Sequence, residues 1–229
     1  MKSDIAKVLH QLAGRPLIHY VIEQTRGSQP EKTVVVIGHH REAVKAALAA
    51  YPVETVVQEP QLGTGHAVQQ AELQFDSFGG DILVLSGDVP LLRQETIAEL
   101  VRVHRETESV ITILTALLED PAGYGRVVRN RDGAVQKIVE QRDATPAELT
   151  LNEINTGIYL FKSELLFARL HALQPDNAQG EYYLTDVVVM ATKEGLPVQA
   201  VIAADPLEIE GVNTVEQLQE MERNYLSRV

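Results

Sequence analysis

The chain has no cysteine among its 229 residues, which excludes disulfides and thiolate metal sites and suits a reducing compartment such as the cytoplasm. It lacks any apolar run long enough to cross a bilayer, and Met1-Lys2-Ser3-Asp4 leads to Lys7 without the pattern of a signal peptide. The expectation is therefore a soluble cytoplasmic protein with no membrane partner. Positive charge is scarce, with 20 Lys and Arg against 32 Asp and Glu and a formal net charge of -12. A phosphate polymer demands clustered cations, so nucleic acid is not an expected partner. One small anion stays within reach, because a few local cations and backbone N–H groups can hold a phosphate. Internal repeats, low-complexity tracts and Pro/Gly/Ser-rich linkers are also missing. With 45% hydrophobic residues, the chain can bury a substantial core as one α/β unit over residues 1–229.

What is present is organised around Ile82-Leu83-Val84-Leu85-Ser86-Gly87-Asp88-Val89-Pro90. Four apolar residues in a row predict a strand buried on both faces, as in the centre of a parallel sheet. Gly87 lets the chain bend, Asp88 places a carboxylate at the carboxyl end of the strand, and Pro90 stops the ladder. In open parallel sheets that edge binds ligands, although an Asp in such a turn is as often structural. A second stretch, Gln58-Glu59-Pro60-Gln61-Leu62-Gly63-Thr64-Gly65-His66-Ala67, predicts a glycine-bearing loop entering a helix, with Thr64 available to cap it or to donate its hydroxyl. The plain alternative for both is a turn, and Lys7 taken alone is an ordinary solvated lysine. Adjacent His39 and His40 point apart on an extended chain and have no third ligand nearby, so they do not predict a metal site.

Other strands are predicted over 33–38, 53–57, 110–117, 153–161 and 198–203, alternating with helices from about Pro16, over 41–50, 95–106 and 163–173, into Gly195, and over 215–226. Ser163 is the expected cap of its helix. Asp132-Gly133 between two apolar runs predicts a hairpin that returns through Val135–Val139 to Glu140. The strand–helix rhythm predicts right-handed crossovers and a mainly parallel sheet.

Together these stretches resemble the N-terminal uridyltransferase (pyrophosphorylase) domain of the bacterial bifunctional N-acetylglucosamine-1-phosphate uridyltransferase/glucosamine-1-phosphate acetyltransferase family. The matching motifs are Ser3-Asp4-Ile5-Ala6-Lys7-Val8-Leu9-His10, Gln61-Leu62-Gly63-Thr64-Gly65-His66-Ala67, Gly87-Asp88-Val89-Pro90-Leu91, Gly123-Tyr124-Gly125-Arg126, Ile138-Val139-Glu140, Glu153-Ile154-Asn155-Thr156-Gly157, Gly180-Glu181-Tyr182-Tyr183-Leu184-Thr185-Asp186 and Glu210-Gly211-Val212-Asn213. They stand in the family's order over nearly the whole chain. The resemblance implies a Rossmann-like nucleotide-diphospho-sugar transferase fold, its mainly parallel sheet flanked by helices, with a smaller hairpin-bearing sugar-binding lobe.

It also implies roles. Asp88 and Asn213 are similar to the family's ligands to the catalytic Mg2+, oxygen donors that suit a hard cation keeping several waters. Gln58, Gly63 and Thr64 are similar to its uracil-reading group, and Gly125, Glu140 and Asn155 to its N-acetylglucosamine contacts. Lys7 resembles a phosphate-binding cation, and Tyr182 and Thr185 are placed beside the sugar. The implied reaction joins UTP and N-acetylglucosamine-1-phosphate into UDP-N-acetylglucosamine and pyrophosphate, for cell-wall and lipopolysaccharide precursors. It needs no protein nucleophile, only the positioning of two anions and neutralisation of their charge.

Two departures matter. The family pattern opens with a strand and a glycine-rich signature ending in Arg-Met, and this chain starts at what looks like that Met. The expectation is an N-terminally truncated domain whose sheet is weakened by loss of an interior strand. The motif also has Ala6 where the family usually has proline. In the full-length family a β-helix acetyltransferase domain follows and carries the trimer contacts, so neither acetyl transfer nor that trimer is expected from residues 1–229. The alternatives are a non-catalytic UDP-sugar-binding fragment lacking the signature arginine, and a related nucleotidyltransferase using glucose-1-phosphate, dTTP or CTP.

Overall fold

The computed structural model describes residues 5–227, so Ser3 and Asp4 of the first motif lie outside the described residues. A short 3-10 turn at Lys7–Leu9 precedes a small antiparallel ribbon of β1 (Gln11–Leu12) and β2 (Arg15–Pro16), and Pro16 then opens α1 (Leu17–Thr25). Next come β3 (Val34–Ile37), α2 (Arg41–Leu48), β4 (Glu54–Val57), α3 (Thr64–Gln69), β5 (Asp81–Val84), α4 (Gln94–Glu106) and β6 (Ile111–Leu117). The chain continues through β7 (Arg126–Arg129), β8 (Val135–Val139), α5 (Pro146–Leu149), β9 (Glu153–Lys162), α6 (Ser163–Leu170), α7 (Thr185–Lys193), β10 (Val198–Ile202) and α8 (Val215–Leu226).

The main sheet has the order β10-β6-β9-β7-β8, with β5 also paired to β9. β10 is parallel to β6, whereas β5, β6 and β7 each run antiparallel to β9. Thus β5, β6, β7 and β10 share one direction, and β9 and β8 oppose it. The antiparallel partner of β5 is a departure from the sequence reading. An apolar run reports how many faces are buried, not which way a neighbour points.

One face of this sheet is covered by Leu166 and Leu170 of α6 with Val187, Val188 and Ala191 of α7. The other packs Ile97 and Leu100 of α4 against Leu114, Ile158 and Leu160. β9, with Ile154 and Phe161 fully buried, lies at the centre. The predicted hairpin forms between β7 and β8, turned at Gly133 with φ +83° and held by Asn130 Oδ1, which accepts from the N–H groups of Asp132 and Ala134 at 3.0 and 2.9 Å. Ser163 does not cap α6. It is the first helical residue, and its hydroxyl donates to the Phe78 carbonyl at 2.5 Å.

Two features of this topology position the functional region. β9 has β6 along one edge, while on the other it pairs β7 through Ile154 and β5 through Tyr159–Lys162. Asn155, Thr156 and Gly157 therefore sit at the fork where β5 and β7 part company, and Gly157 takes φ +78° there. The second feature is that the sheet is in pieces. β3 and β4 form a separate parallel pair with its own small core of Ile18, Ile22, Ile37, Val44 and Leu48. Between β3 and β5 runs a cavity of about 1500 Å³ that reaches Glu140, Asn155 and Thr185 at one end.

Candidate active site

At the fork, Gly125 ends the approach to β7, and its carbonyl accepts from the Asn155 N–H at 2.9 Å. A Cβ placed on Gly125 would lie 3.3 Å from the Val139 carbonyl, 3.4 Å from Glu140 Oε2 and 3.6 Å from the Asn155 Cβ. The glycine is thus the close-approach point at which the strand β7, the end of β8 and β9 meet. Asn155 is fixed through Oδ1, which accepts from the Tyr159 hydroxyl at 2.9 Å and the Gly157 N–H at 3.2 Å. Its amide NH2 is thereby left as the group that can donate elsewhere. Tyr159 is itself fully buried, and burial pushes its phenol well above the ordinary range.

Glu140 stands opposite, with Oε1 accepting from the Thr185 hydroxyl at 3.4 Å. Burial is the largest influence on its carboxyl and raises its pKa from 4.5; the Thr185 bond acts against this, and Asp143, Asp186 and Glu181 add to it. Gly125, Glu140, Asn155 and Thr185 therefore form one cluster.

A second cluster lies at the carboxyl end of β5. Lys7 is ion-paired with Asp88 and donates to Asn213 Oδ1 at 2.6 Å, so two oxygen donors 125 positions apart converge on a single cationic position. The local chain explains the convergence. Gly87 fits under Ile18 and Val8, where a Cβ would come within 3.2 Å of each. The Asp88 carbonyl accepts from the Val212 N–H at 3.1 Å, and the Tyr124 hydroxyl takes a hydrogen bond from the Gly211 backbone. Asn213 immediately precedes Thr214, the N-cap of α8, whose capping box has Thr214 and Gln217 bonded to each other's backbone N–H groups. Among the described residues no group of three or more His, Cys, Asp or Glu is arranged for a metal. Asp88 with Asn213 is nevertheless a hard-oxygen donor pair already aimed at a cation, the chemistry that suits Mg2+ with water and phosphate completing its shell.

The glycine loop forms a third cluster. Gly63 has φ +111°, and a Cβ there would lie 2.7 Å from the Tyr182 carbonyl, so glycine is required on both counts. The loop is zipped to the 177–185 segment: Tyr182 N–H donates to the Leu62 carbonyl and Gly65 N–H to the Tyr182 carbonyl, each at 2.8 Å. Thr64 is the first residue of α3 and makes no cap; its hydroxyl accepts from the Leu184 N–H at 3.0 Å. Gln58 donates to the Gly63 carbonyl at 2.9 Å and contacts His66 Nδ1 at 3.1 Å.

Of the residues singled out from sequence, Lys7, Thr64, Glu140, Asn155 and Thr185 line the large cavity. Gln58 instead borders a shallower one of about 830 Å³ beside His39, His40 and Arg41. Tyr124 and Tyr159 were not assigned roles from sequence, and both hold members of the two polar clusters. Tyr124 stands inside a quoted motif, which was a usable signal; Tyr159 in an apolar strand reads only as core.

The nucleotidyl transferase family model matches residues 2–206. The chain is 45% identical over its whole length to the bifunctional protein GlmU of Geobacter metallireducens, covering 48% of that relative. It is 51% identical over 98% of its length to the bifunctional protein GlmU of Paracidovorax citrulli, again covering 48%. The chain thus spans about half the length of these curated relatives. Among solved structures, a UDP-glucose pyrophosphorylase complexed with UDP-glucose superposes with a TM-score of 0.73 at 16% identity, over 98% of this chain and 92% of the other. That likeness establishes the shared α/β fold. With the family model covering most of the sequence, the chain belongs to the nucleotidyl transferase family.

Proposed function

We propose that the chain is a uridyltransferase domain that converts UTP and N-acetylglucosamine-1-phosphate into UDP-N-acetylglucosamine and pyrophosphate, a step toward cell-wall precursors. The observation that carries this reading is the pairing of two unlike polar clusters in a nucleotidyl transferase. One is built for neutral hydroxyl and amide groups around Gly125, Glu140, Asn155 and Thr185. The other is built for phosphate charge around Lys7, Asp88 and Asn213. Identities of 45–51% to GlmU proteins support the choice of sugar and base over glucose-1-phosphate, dTTP or CTP.

In the reaction a phosphate oxygen of the sugar phosphate attacks the α-phosphorus of UTP in line, and the bond to the departing pyrophosphate breaks. The attacking oxygen is already ionised, so no residue has to remove a proton. Asp88 and Asn213 would hold Mg2+, which when bound neutralises triphosphate charge. Lys7, released from these two oxygens, supplies a mobile ammonium to the phosphates. Glu140 accepts from a sugar hydroxyl and Asn155 donates its amide to the sugar, fixing orientation. Tyr182 and Thr185 wall the sugar side. Gly63, kept open by its φ, and Thr64 offer loop groups to the uracil, with Gln58 beside them.

A substrate panel tests the reading: pyrophosphate release is measured for UTP, dTTP and CTP, each with N-acetylglucosamine-1-phosphate and glucose-1-phosphate. The expected result is release with UTP and the acetylated sugar well above every other pair. Preference for another pair would move the chain to a different sugar-phosphate specificity. Binding of UDP-N-acetylglucosamine with no release from any pair would make it a sugar-nucleotide-binding module.

A further inference from the structure

Asp88 and Asn213 come from two segments that are joined at both ends. Residues 88–93 lead from β5 toward α4, and residues 208–213 lead from a 3-10 turn at Pro206–Ile209 toward α8. At one end the Val212 N–H donates to the Asp88 carbonyl at 3.1 Å. At the other end Arg93 is ion-paired with Glu208. Because Asp88 meets Val212 while Arg93 meets Glu208, the two segments run in opposite senses with a rung at each end. Val89 and Leu92 from the first share one buried cluster with Ile209 from the second. Gln24 of α1 donates to the Pro90 carbonyl at 2.9 Å and so tethers the middle of the first segment.

The rung at Glu208 spends a buried charge on direction. This side chain is 1% exposed, and its Oε1 accepts from Nε of Arg93 at 2.7 Å and also from Nη2. Its Oε2 accepts from the Arg93 N–H at 3.2 Å and from the Thr96 hydroxyl at 2.5 Å. Arg93 is the N-cap of α4, and its own side chain makes no cap. Glu208 therefore reaches across the fold to bond the N-cap N–H, the task an acid at the third helical position performs in a capping box. A buried ion pair is a poor source of stability, since well-packed apolar residues often do as well or better. Directional bonds add register instead: apolar neighbours can slide, whereas several donors converging on one carboxylate lose their geometry if either segment shifts.

Register matters at the opposite rung. Lys7 contacts both Asp88 and Asn213 Oδ1, so the two oxygens serve one cationic position. A slip of one residue between extended segments is about 3.3 Å, far outside the roughly 0.2 Å tolerance of a metal–oxygen distance. We infer that Arg93, Glu208 and Thr96 are positioning residues for this cation site: by locking residues 88–93 against 208–213 they hold the Asp88 and Asn213 oxygens at a common point. The inference rests on the reading of that oxygen pair as the cation site of the proposed reaction.

The test measures Mn2+ binding to the whole chain, without substrates, from the loss of the electron paramagnetic resonance signal of free Mn2+, alongside thermal melting. Asp88→Asn defines the share of binding that belongs to the site. Glu208→Gln keeps the shape of the side chain but removes its charge, and should weaken that share about tenfold. Arg93→Lys keeps the charge but not the planar fork; it should melt close to the parent yet bind Mn2+ roughly threefold more weakly, and it decides the matter if Glu208→Gln fails to fold. Arg169→Met breaks the pair with Glu194 that links α6 to α7 on the opposite face of the sheet, and should lower the melting temperature without moving Mn2+ affinity. Site binding lost in Asp88→Asn but unchanged in Arg93→Lys and Glu208→Gln would overturn the positioning role alone. An equal loss of affinity in Arg169→Met would also overturn it, by reducing the effect to general stability. Binding that Asp88→Asn leaves intact would overturn the cation site itself, and the positioning role with it.

Discussion

The two polar clusters of the site meet opposite demands. Around Gly125, the groups are buried or half-buried and individually fixed: Asn155 by Tyr159 and Gly157, Glu140 by Thr185. Around Asp88 the charged groups satisfy one another, with Lys7 and Asp88 36% and 22% exposed in their side chains. On the proposed reaction, the difference follows from what each would bind. Neutral hydroxyls and amides reward donors and acceptors locked in advance, because an unpaired polar group costs more than a modest bond returns. A bare cluster of charge waiting for a polyanion would be costly to keep. On the proposed reaction, the lysine would hold the oxygen pair until a metal and phosphates exchange with it.

Substitutions should separate the clusters, and the largest effect is expected at Asp88. Asp88→Asn keeps the shape but removes the charge that gathers Lys7, and turnover should fall about a thousandfold, chiefly in kcat. Circular dichroism should stay native. Retained turnover would detach this cluster from the chemistry.

Glu140→Gln should instead act on binding, raising KM for the sugar phosphate about tenfold or more. It carries a second signature. Burial raises the folded-state carboxyl pKa above 4.5, so the ionised group weighs against the fold once pH exceeds that folded value, and the penalty vanishes below the unfolded value. The variant should melt higher than the parent at neutral pH and equally at about pH 4. A variant melting lower at neutral pH would show that the carboxylate is stabilising where it stands.

Tyr124→Phe removes the hydroxyl that steadies Gly211, two residues before Asn213. The metal concentration for half-maximal turnover should rise about tenfold, with little change at saturating metal. An unchanged metal titration would reduce Tyr124 to a packing residue. The smallest effect is expected at Tyr159. Tyr159→Phe frees Asn155 Oδ1 at a cost of about 1 kcal/mol, or roughly fivefold in sugar-phosphate KM, with the metal titration unmoved.

Much of this arrangement was legible in the sequence, for local reasons. Asn130-Arg131-Asp132-Gly133 encodes a hairpin in its own turn chemistry, and the strand-ending Asp88 and the obligatory Gly63 announce themselves through neighbouring residues. Long-range partners were not legible. Nothing local says that β9 slots antiparallel between β5 and β6, since periodicity records burial alone. Nor does the sequence around Arg93 reveal that it pairs with Glu208, 1% exposed and also bonded by Thr96 at 2.5 Å. Asn213 is marked as a site residue only by the family resemblance. The backbone bonds that bring it to Asp88 exist only in the folded chain.

The most direct test is to incubate the chain with UTP and N-acetylglucosamine-1-phosphate, in Mg2+ and in excess chelator, and quantify UDP-N-acetylglucosamine and pyrophosphate. The account predicts both products in equal amounts with Mg2+ and none with chelator. Product formation that ignores the chelator would contradict the role given to Asp88 and Asn213, and no product in Mg2+ would contradict the proposed reaction.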